Sequence, residues 1–290
     1  MPELPEVETL RLGLKKYLVG HRIENIEIKK VKIFRGDKKD AIGTKIKDVR
    51  RFGKLLVIDL TNGNSLTIHL KLTGQLIYCG PKLKHPSLSE KVAGGLPGTH
   101  THVIFKLDRQ SFLYYNDLRQ FGWIKVMKTD QVEKEGFVSK LGLEPFKDLT
   151  LQKFKQILSK HKTYIKVLLM DQAKIAGVGN IYANEALWMS KIHPKVPANS
   201  LSPKKVNELY KNLLATLKKG VKYQGASDSA FVTAEGQEGS FQEHFQVYSQ
   251  AGKICSRCKK AKIKRFALGG RGTFYCPTCQ PTKNPPKRIF

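Results

Sequence analysis

Apolar residues at Leu4, Val7, Leu10 and Leu14 recur at the spacing of a helical stripe, which predicts an amphipathic helix from roughly Glu3 to Leu18. Beyond it the period falls to two. Short alternating runs predict strands near 21–28, 44–50, 54–60, 65–70, 75–79, 102–107, 111–116 and 122–127. Asn62-Gly63 joins two of these with the residues that a tight hairpin turn needs. A sheet must bury one face, and here the partners at hand are other strands and a single helix. The expected arrangement is therefore a β-sandwich or barrel-like domain carrying the N-terminal helix. Residues 80–101, rich in Pro, Gly and His, read as a long loop.

Glu133, Lys134, Glu135 and Gly136 interrupt the strand pattern before Pro145, so the first domain is expected over 1–130, with a linker over 131–149. From Thr150 the period is helical, predicting helices at 150–160, 163–173, 180–190 and 202–222, the last opened by Ser202-Pro203. These helices form a domain of 150–250, in which Gly225, Gly236 and Gly239 among polar residues mark 224–243 as a mobile loop. A cysteine module over 251–282 and a disordered Pro/Lys-rich tail over 283–290 complete an α+β, multidomain chain.

The cysteines add a metal to this picture. Cys255-x2-Cys258 and Cys276-x2-Cys279 are separated by seventeen residues, a spacing that fits one four-thiolate structural zinc in a ribbon-like hairpin. Four thiolates close the coordination shell, so such a metal shapes the protein and leaves no position for a reacting water. Cys79 has no partner by spacing, and an odd count of 5 argues against a disulfide framework.

Charge then points to a partner. The 52 basic against 24 acidic side chains leave +28, far more than solubility needs, which implies a polyanion. Charge alone leaves DNA, RNA and an anionic membrane open. No apolar run approaches the ~20 residues of a membrane span, and the acidic N-terminus is unlike a signal peptide. A soluble, intracellular protein with no membrane partner is expected.

Local chemistry singles out the first residues. If Met1 is removed, Pro2 presents a secondary α-amine, a group that titrates at roughly 7.7–8.0 and is therefore partly nucleophilic at neutral pH. Glu3 and Glu6 lie three apart, so a helix starting near Glu3 sets both carboxylates on one face beside that amine. The same residues also suit an ordinary helix start with acids in the first turn. Met1-Pro2-Glu3-Leu4-Pro5-Glu6-Val7-Glu8-Thr9 resembles the opening of bacterial formamidopyrimidine-DNA glycosylases. The resemblance continues through Asn116-Asp117-Leu118-Arg119-Gln120-Phe121-Gly122, Gly177-Val178-Gly179-Asn180-Ile181-Tyr182 and Gly270-Arg271-Gly272-Thr273-Phe274-Tyr275-Cys276.

What this resemblance implies is a monomeric, cytoplasmic, nucleoid-associated base-excision-repair enzyme. Such an enzyme excises oxidised purines from duplex DNA through an imine on Pro2, then cuts the abasic site by β,δ-elimination. Glu3 would handle protons at the sugar, Glu6 would hold that geometry, Lys54 would contact phosphate and handle protons, and Arg271 would hold the phosphate beside the lesion. His100, Asn180, Lys162 and Lys166 would grip the backbone. Arg119, Phe121 and Leu72 would fill the space left by a flipped base, a step that any enzyme acting on a stacked base requires. From its residue type alone Phe121 would be core, the commoner fate of a phenylalanine. Three departures from the family pattern stand out: Leu72 where methionine is common, and Leu118 and Gln120 where proline and arginine are often seen. They imply altered lesion tolerance. Two alternatives fit less of the chain. A sister glycosylase directed at oxidised pyrimidines shares most motifs, and a non-catalytic zinc-ribbon protein explains the charge and cysteines but not the N-terminus.

Overall fold

A computed structural model describes residues 1–81, 83, 88–134 and 136–282; the tail expected at 283–290 lies outside them. Two compact units emerge. One comprises Met1–Lys140 with Gly220–Gln242, the other Leu141–Lys219 with the chain from Glu243 onward.

In the first unit, α1 (Leu4–Leu18) starts with Pro5, whose ring suits a first turn, and with Glu6, and ends with Lys15 and Lys16, so that its charged residues lie on the sides the helix dipole favours. Its stripe of Leu4, Val7, Leu10, Leu14 and Leu18 is almost wholly removed from water. Each such side chain contributes about 1.5–3 kcal/mol by burial. The strands are β1 (Ile23–Ile28), β2 (Phe34–Arg35), β3 (Ile46–Phe52), β4 (Leu55–Leu60), β5 (Asn64–His69), β6 (Gly74–Cys79), β7 (Thr101–Leu107), β8 (Ser111–Asp117) and β9 (Trp123–Lys128). They form a four-stranded sheet, β1-β7-β8-β6, and a five-stranded sheet, β2-β9-β5-β4-β3. All pairings are antiparallel except β2 with β9.

Alternation sorts each strand between two environments. In β4, Leu56, Ile58 and Leu60 enter the core between the sheets with Leu76, Phe105 and Tyr115, while Leu55 and Val57 face the other way. Val132, Phe137 and Val138 lie over that outer face, against Leu55 and Val57, and all of β4 is buried. Asn62-Gly63 does turn the chain between β4 and β5, with Gly63 at φ 79°. The two-residue β2 escapes a reading by alternation, because two positions cannot display a period.

The second unit holds α2 (Leu151–Ser159), α3 (Ile165–Met170), α4 (Asn180–Met189) and most of α5 (Pro203–Lys222), whose last residues belong to the first unit. A hairpin of β10 (Lys264–Leu268) and β11 (Arg271–Tyr275) turns through Gly269 and Gly270, both at positive φ. That pair of left-handed residues is what a two-residue turn matched to strand twist demands. Around the cysteines, Trp188, Val247 and Ile263 form a small apolar core.

Candidate active site and nucleic-acid interface

Pro2 and Glu3 are buried ahead of α1, and Met1 is 42% exposed. Glu3 is the residue before the first helical turn, and Glu6 Oε2 accepts its backbone N–H at 2.7 Å. The other oxygen of Glu6 accepts the Ala226 N–H at 2.8 Å. One buried carboxylate thus holds both the backbone beside Pro2 and the loop that follows α5. Gly225 makes this approach possible: it adopts φ +82°, and a Cβ there would lie 2.9 Å from Glu6 Cγ. Lys54, 4% exposed, sits with Gly53 in the turn between β3 and β4. Its charge, with that of Lys71 and above all the burial of the ring, pushes the His69 imidazole down to about 3. His69 is therefore neutral, and its Nδ1 accepts the Lys71 N–H at 3.0 Å.

A second group in the same unit gathers on the loops after β5 and β8. Phe121 is 53% exposed and so is Leu118, which puts Phe121 outside the core. The Arg119 guanidinium lies 4.8 Å from the centre of the Phe121 ring. Leu72 is half-buried in the turn after Lys71, the latter at φ 53°. The carbonyl of half-buried His100 accepts the Asp117 N–H at 3.0 Å, joining His100 to the base of the Arg119 loop.

In the second unit Gln172 shapes the Gly177-Val178-Gly179 turn, donating to Val178 O at 2.6 Å and accepting the Gly177 N–H at 2.9 Å. Gly179 then caps α4, leaving partly exposed Asn180 in its first turn, where helix amides suit a phosphate. Lys162 is exposed between α2 and α3. Lys166 is 0% exposed, and its ammonium donates to Gly272 O at 3.0 Å and Thr273 Oγ1 at 2.7 Å. Arg271, exposed, opens β11 directly before those acceptors. Asn184 makes a parallel tie, accepting the Phe274 N–H at 2.9 Å and donating to Asn180 O at 2.6 Å.

The four sulfurs of Cys255, Cys258, Cys276 and Cys279 lie within 4.8 Å of one another. Two of the pairs are 3.9 and 3.7 Å apart. Tetrahedral zinc with bonds of about 2.3 Å requires sulfurs about 3.8 Å apart. The donor set therefore fits one structural zinc.

Three family models match in the order of this architecture. The formamidopyrimidine-DNA glycosylase N-terminal domain covers residues 1–124, its H2TH domain 141–232, and the zinc finger found in FPG and IleRS 252–282. A formamidopyrimidine-DNA glycosylase of Pelotomaculum thermopropionicum is 39% identical over 98% of this chain and 100% of its own. One from Rickettsia conorii is 40% identical over 97% and 99%. This chain belongs to the formamidopyrimidine-DNA glycosylase family. Among solved structures, Lactococcus lactis Fpg bound to abasic-site DNA superposes with a TM-score of 0.85 at 33% identity, covering 97% of this chain and 100% of that one. A point mutant of the same Lactococcus lactis protein, in complex with Fapy-dG DNA, also scores 0.85, at 34% identity and with the same coverage.

The glycosylase contains further residues that sequence reasoning passed over. Asp117 and Thr73 organise the Arg119 loop, Asn184 and Glu185 the second unit. Glu185, 2% exposed, has its carboxyl pushed up by burial, against the pull of the Gln246, Val247 and Tyr248 amides that donate to it. Buried acids and amides on otherwise apolar faces were the available signal, since such groups require partners. Among the described residues no helix is long and apolar enough to cross a membrane.

Proposed function

We propose that this glycosylase excises oxidised purines, 8-oxoguanine and formamidopyrimidines, from duplex DNA and then cleaves the abasic site by β,δ-elimination, working as a monomer in the bacterial cytoplasm. The observation that carries the reading is the buried Pro2-Glu3 terminus with Glu6 fastened to the Glu3 amide. Once Met1 is gone, the Pro2 nitrogen attacks the sugar's anomeric carbon, and the bond to the base breaks with the base taking a proton. The amine loses its proton and the sugar ring opens to an imine, with Glu3 moving protons at the sugar. The imine acidifies the neighbouring C–H; loss of that proton expels the first phosphate, and loss of a second proton from the conjugated imine that remains expels the other. Lys54 serves as a phosphate contact and proton carrier beside this centre, and Glu6 acts by position.

The backbone grips are Asn180 with its helix amides, exposed Lys162, Arg271 and His100. Lys166 acts through Arg271, because its ammonium is spent on the hairpin. Arg119, Phe121 and Leu72 fill the vacated space, Arg119 offering donors to the acceptors of an orphaned cytosine. Zinc, when bound, holds the hairpin's base together and takes no part in bond breaking.

Borohydride reduction on an 8-oxoguanine duplex tests this assignment. A crosslink mapping to Pro2 is expected, and a variant that retains Met1 should neither trap nor cut. Equal trapping with Met1 attached would overturn the role of Pro2.

A further inference from the structure

Asp117 is fully buried at the end of β8, where its carboxylate collects donors from two loops. Oδ2 accepts the Gly122 N–H at 2.8 Å and the Tyr115 hydroxyl at 3.4 Å. Oδ1 accepts the Thr73 hydroxyl at 2.5 Å and the Arg119 N–H at 3.2 Å. Thr73 Oγ1 itself accepts that same Arg119 N–H, at 3.0 Å. Burial and the Asp117 charge push the Tyr115 phenol up, so it stays protonated and able to donate.

Two glycines permit the knot. A Cβ on Gly122 would collide with the Tyr115 hydroxyl, and one on Gly74 would lie 2.6 Å from Leu70 O and 2.9 Å from the same hydroxyl. Between the pinned amides of Arg119 and Gly122, Gln120 adopts φ +55°, a conformation that a non-glycine residue holds only where its surroundings impose it. Thr73 follows Leu72 on one loop, while Arg119 and Phe121 belong to the other.

We propose that Thr73 and Asp117 are positioning residues that lock the Leu72 turn and the Arg119–Phe121 loop into one preformed body, so that all three side chains enter the vacated space together. This rests on the void-filling reading given above. A body ordered before DNA arrives avoids the cost of ordering three side chains during insertion.

Thr73→Val removes both hydrogen bonds of the hydroxyl at nearly constant shape, whereas Thr73→Ser keeps them. The test compares single-turnover excision of 8-oxoguanine paired with cytosine against the same lesion in an unpaired bubble, where little stacking must be restored. Thr73→Val should slow the paired substrate roughly tenfold, the scale of one or two lost hydrogen bonds, and the bubble much less. Thr73→Ser should match the parent. Combined with Phe121→Ala, Thr73→Val should add little, because it acts through the same loop. If Phe121→Ala treats paired and unpaired lesions alike, the void-filling reading itself fails. If Phe121→Ala distinguishes them and Thr73→Val does not, or if the two effects add fully, the lock is refuted. Amide hydrogen exchange decides the matter independently of any variant's folding. In the DNA-free enzyme the Arg119 and Gly122 amides should be protected, and exchange at the rate of an open loop would overturn the proposal.

Discussion

Lys166 and Lys162 stand four residues apart, and they should fail in opposite ways. Replacing Lys166 by methionine keeps most of the length of the side chain but removes donors to Gly272 O and Thr273 Oγ1. Hydrogen bonds from a charged donor contribute roughly 1.5–3 kcal/mol each. Against that, methionine relieves the penalty of several kcal/mol for holding an ammonium out of water. The net loss should be about 1–3 kcal/mol, or a fall in thermal midpoint of roughly 3–10 °C for a unit of this size. DNA affinity should drop because Arg271 is less well held, yet the salt dependence should change little, since a buried ammonium displaces no counterion from phosphate. Exposed Lys162 reverses the pattern. Lys162→Ala should leave the midpoint alone and reduce the slope of log affinity against log salt by about 0.9, the value of one phosphate contact. Fluorescence anisotropy on an undamaged duplex between 50 and 200 mM salt, a range over which one contact is worth about 3.5-fold, measures both. A Lys166→Met protein with unchanged midpoint and a slope lowered by about one would mean that Lys166 reaches DNA, and the reasoning from its burial would be wrong.

Further expectations concern pH, metal and the loop behind the terminus. His69 is held down to about 3 by burial and neighbouring lysines, so below about 6.5 the unfolded chain takes up a proton that the folded one refuses. Stability of the first unit should therefore fall from about pH 6.5 downward, by at most about 1.4 kcal/mol per unit, and His69→Gln should flatten that fall in denaturant titrations between pH 7 and 5. Metal analysis should give one zinc per chain, and chelation should abolish duplex binding before the first unit melts; intact binding by metal-free protein would contradict this. Glu6→Gln can still accept one amide through its remaining oxygen but not two, so single-turnover excision should slow about tenfold or more while duplex affinity stays near that of the parent; an unchanged rate would remove Glu6 from the site.

Much of this architecture was legible because it depends on period. The stripe from Leu4 to Leu14 and the alternation along β9 report directly which face is buried, whereas β4 and β5 are buried on both faces, and the observed elements fall within a few residues of their expected bounds. The cysteine spacing was equally direct, since a metal's geometry restricts its ligands. What could not be read was the direction of individual polar groups. Lys162 and Lys166 look alike in sequence, and only their places before and within α3 decide that one meets water and the other a carbonyl. Asp117 carried no distinguishing sign inside its motif, because its role lies in amides supplied by residues on both sides of a turn. Phe121 shows the converse: its type suits a core, and its exposure follows from a loop whose backbone is pinned from below.

That pinning recurs, and it accounts for an apparent excess of buried acid in so basic a protein. Glu6 accepts amides of Glu3 and Ala226, Asp117 those of Arg119 and Gly122, and Glu185 those of Gln246, Val247 and Tyr248. At Glu6 and Asp117 the segment held has to keep a defined shape without covering its proposed working side chains, whereas at Glu185 the held Val247 is also packed in the small core around the cysteines. Apolar packing would anchor such a segment only by burying those side chains, whereas a carboxylate reaches the backbone from the protein side and leaves the other face open. The device has a cost, visible at Glu185, whose carboxyl is pushed up by the same burial that makes its hydrogen bonds strong. Removing such an acceptor leaves amides without partners, at roughly 1–3 kcal/mol each. Damage from changes at Glu6, Asp117 or Glu185 should therefore appear first as misplaced loops.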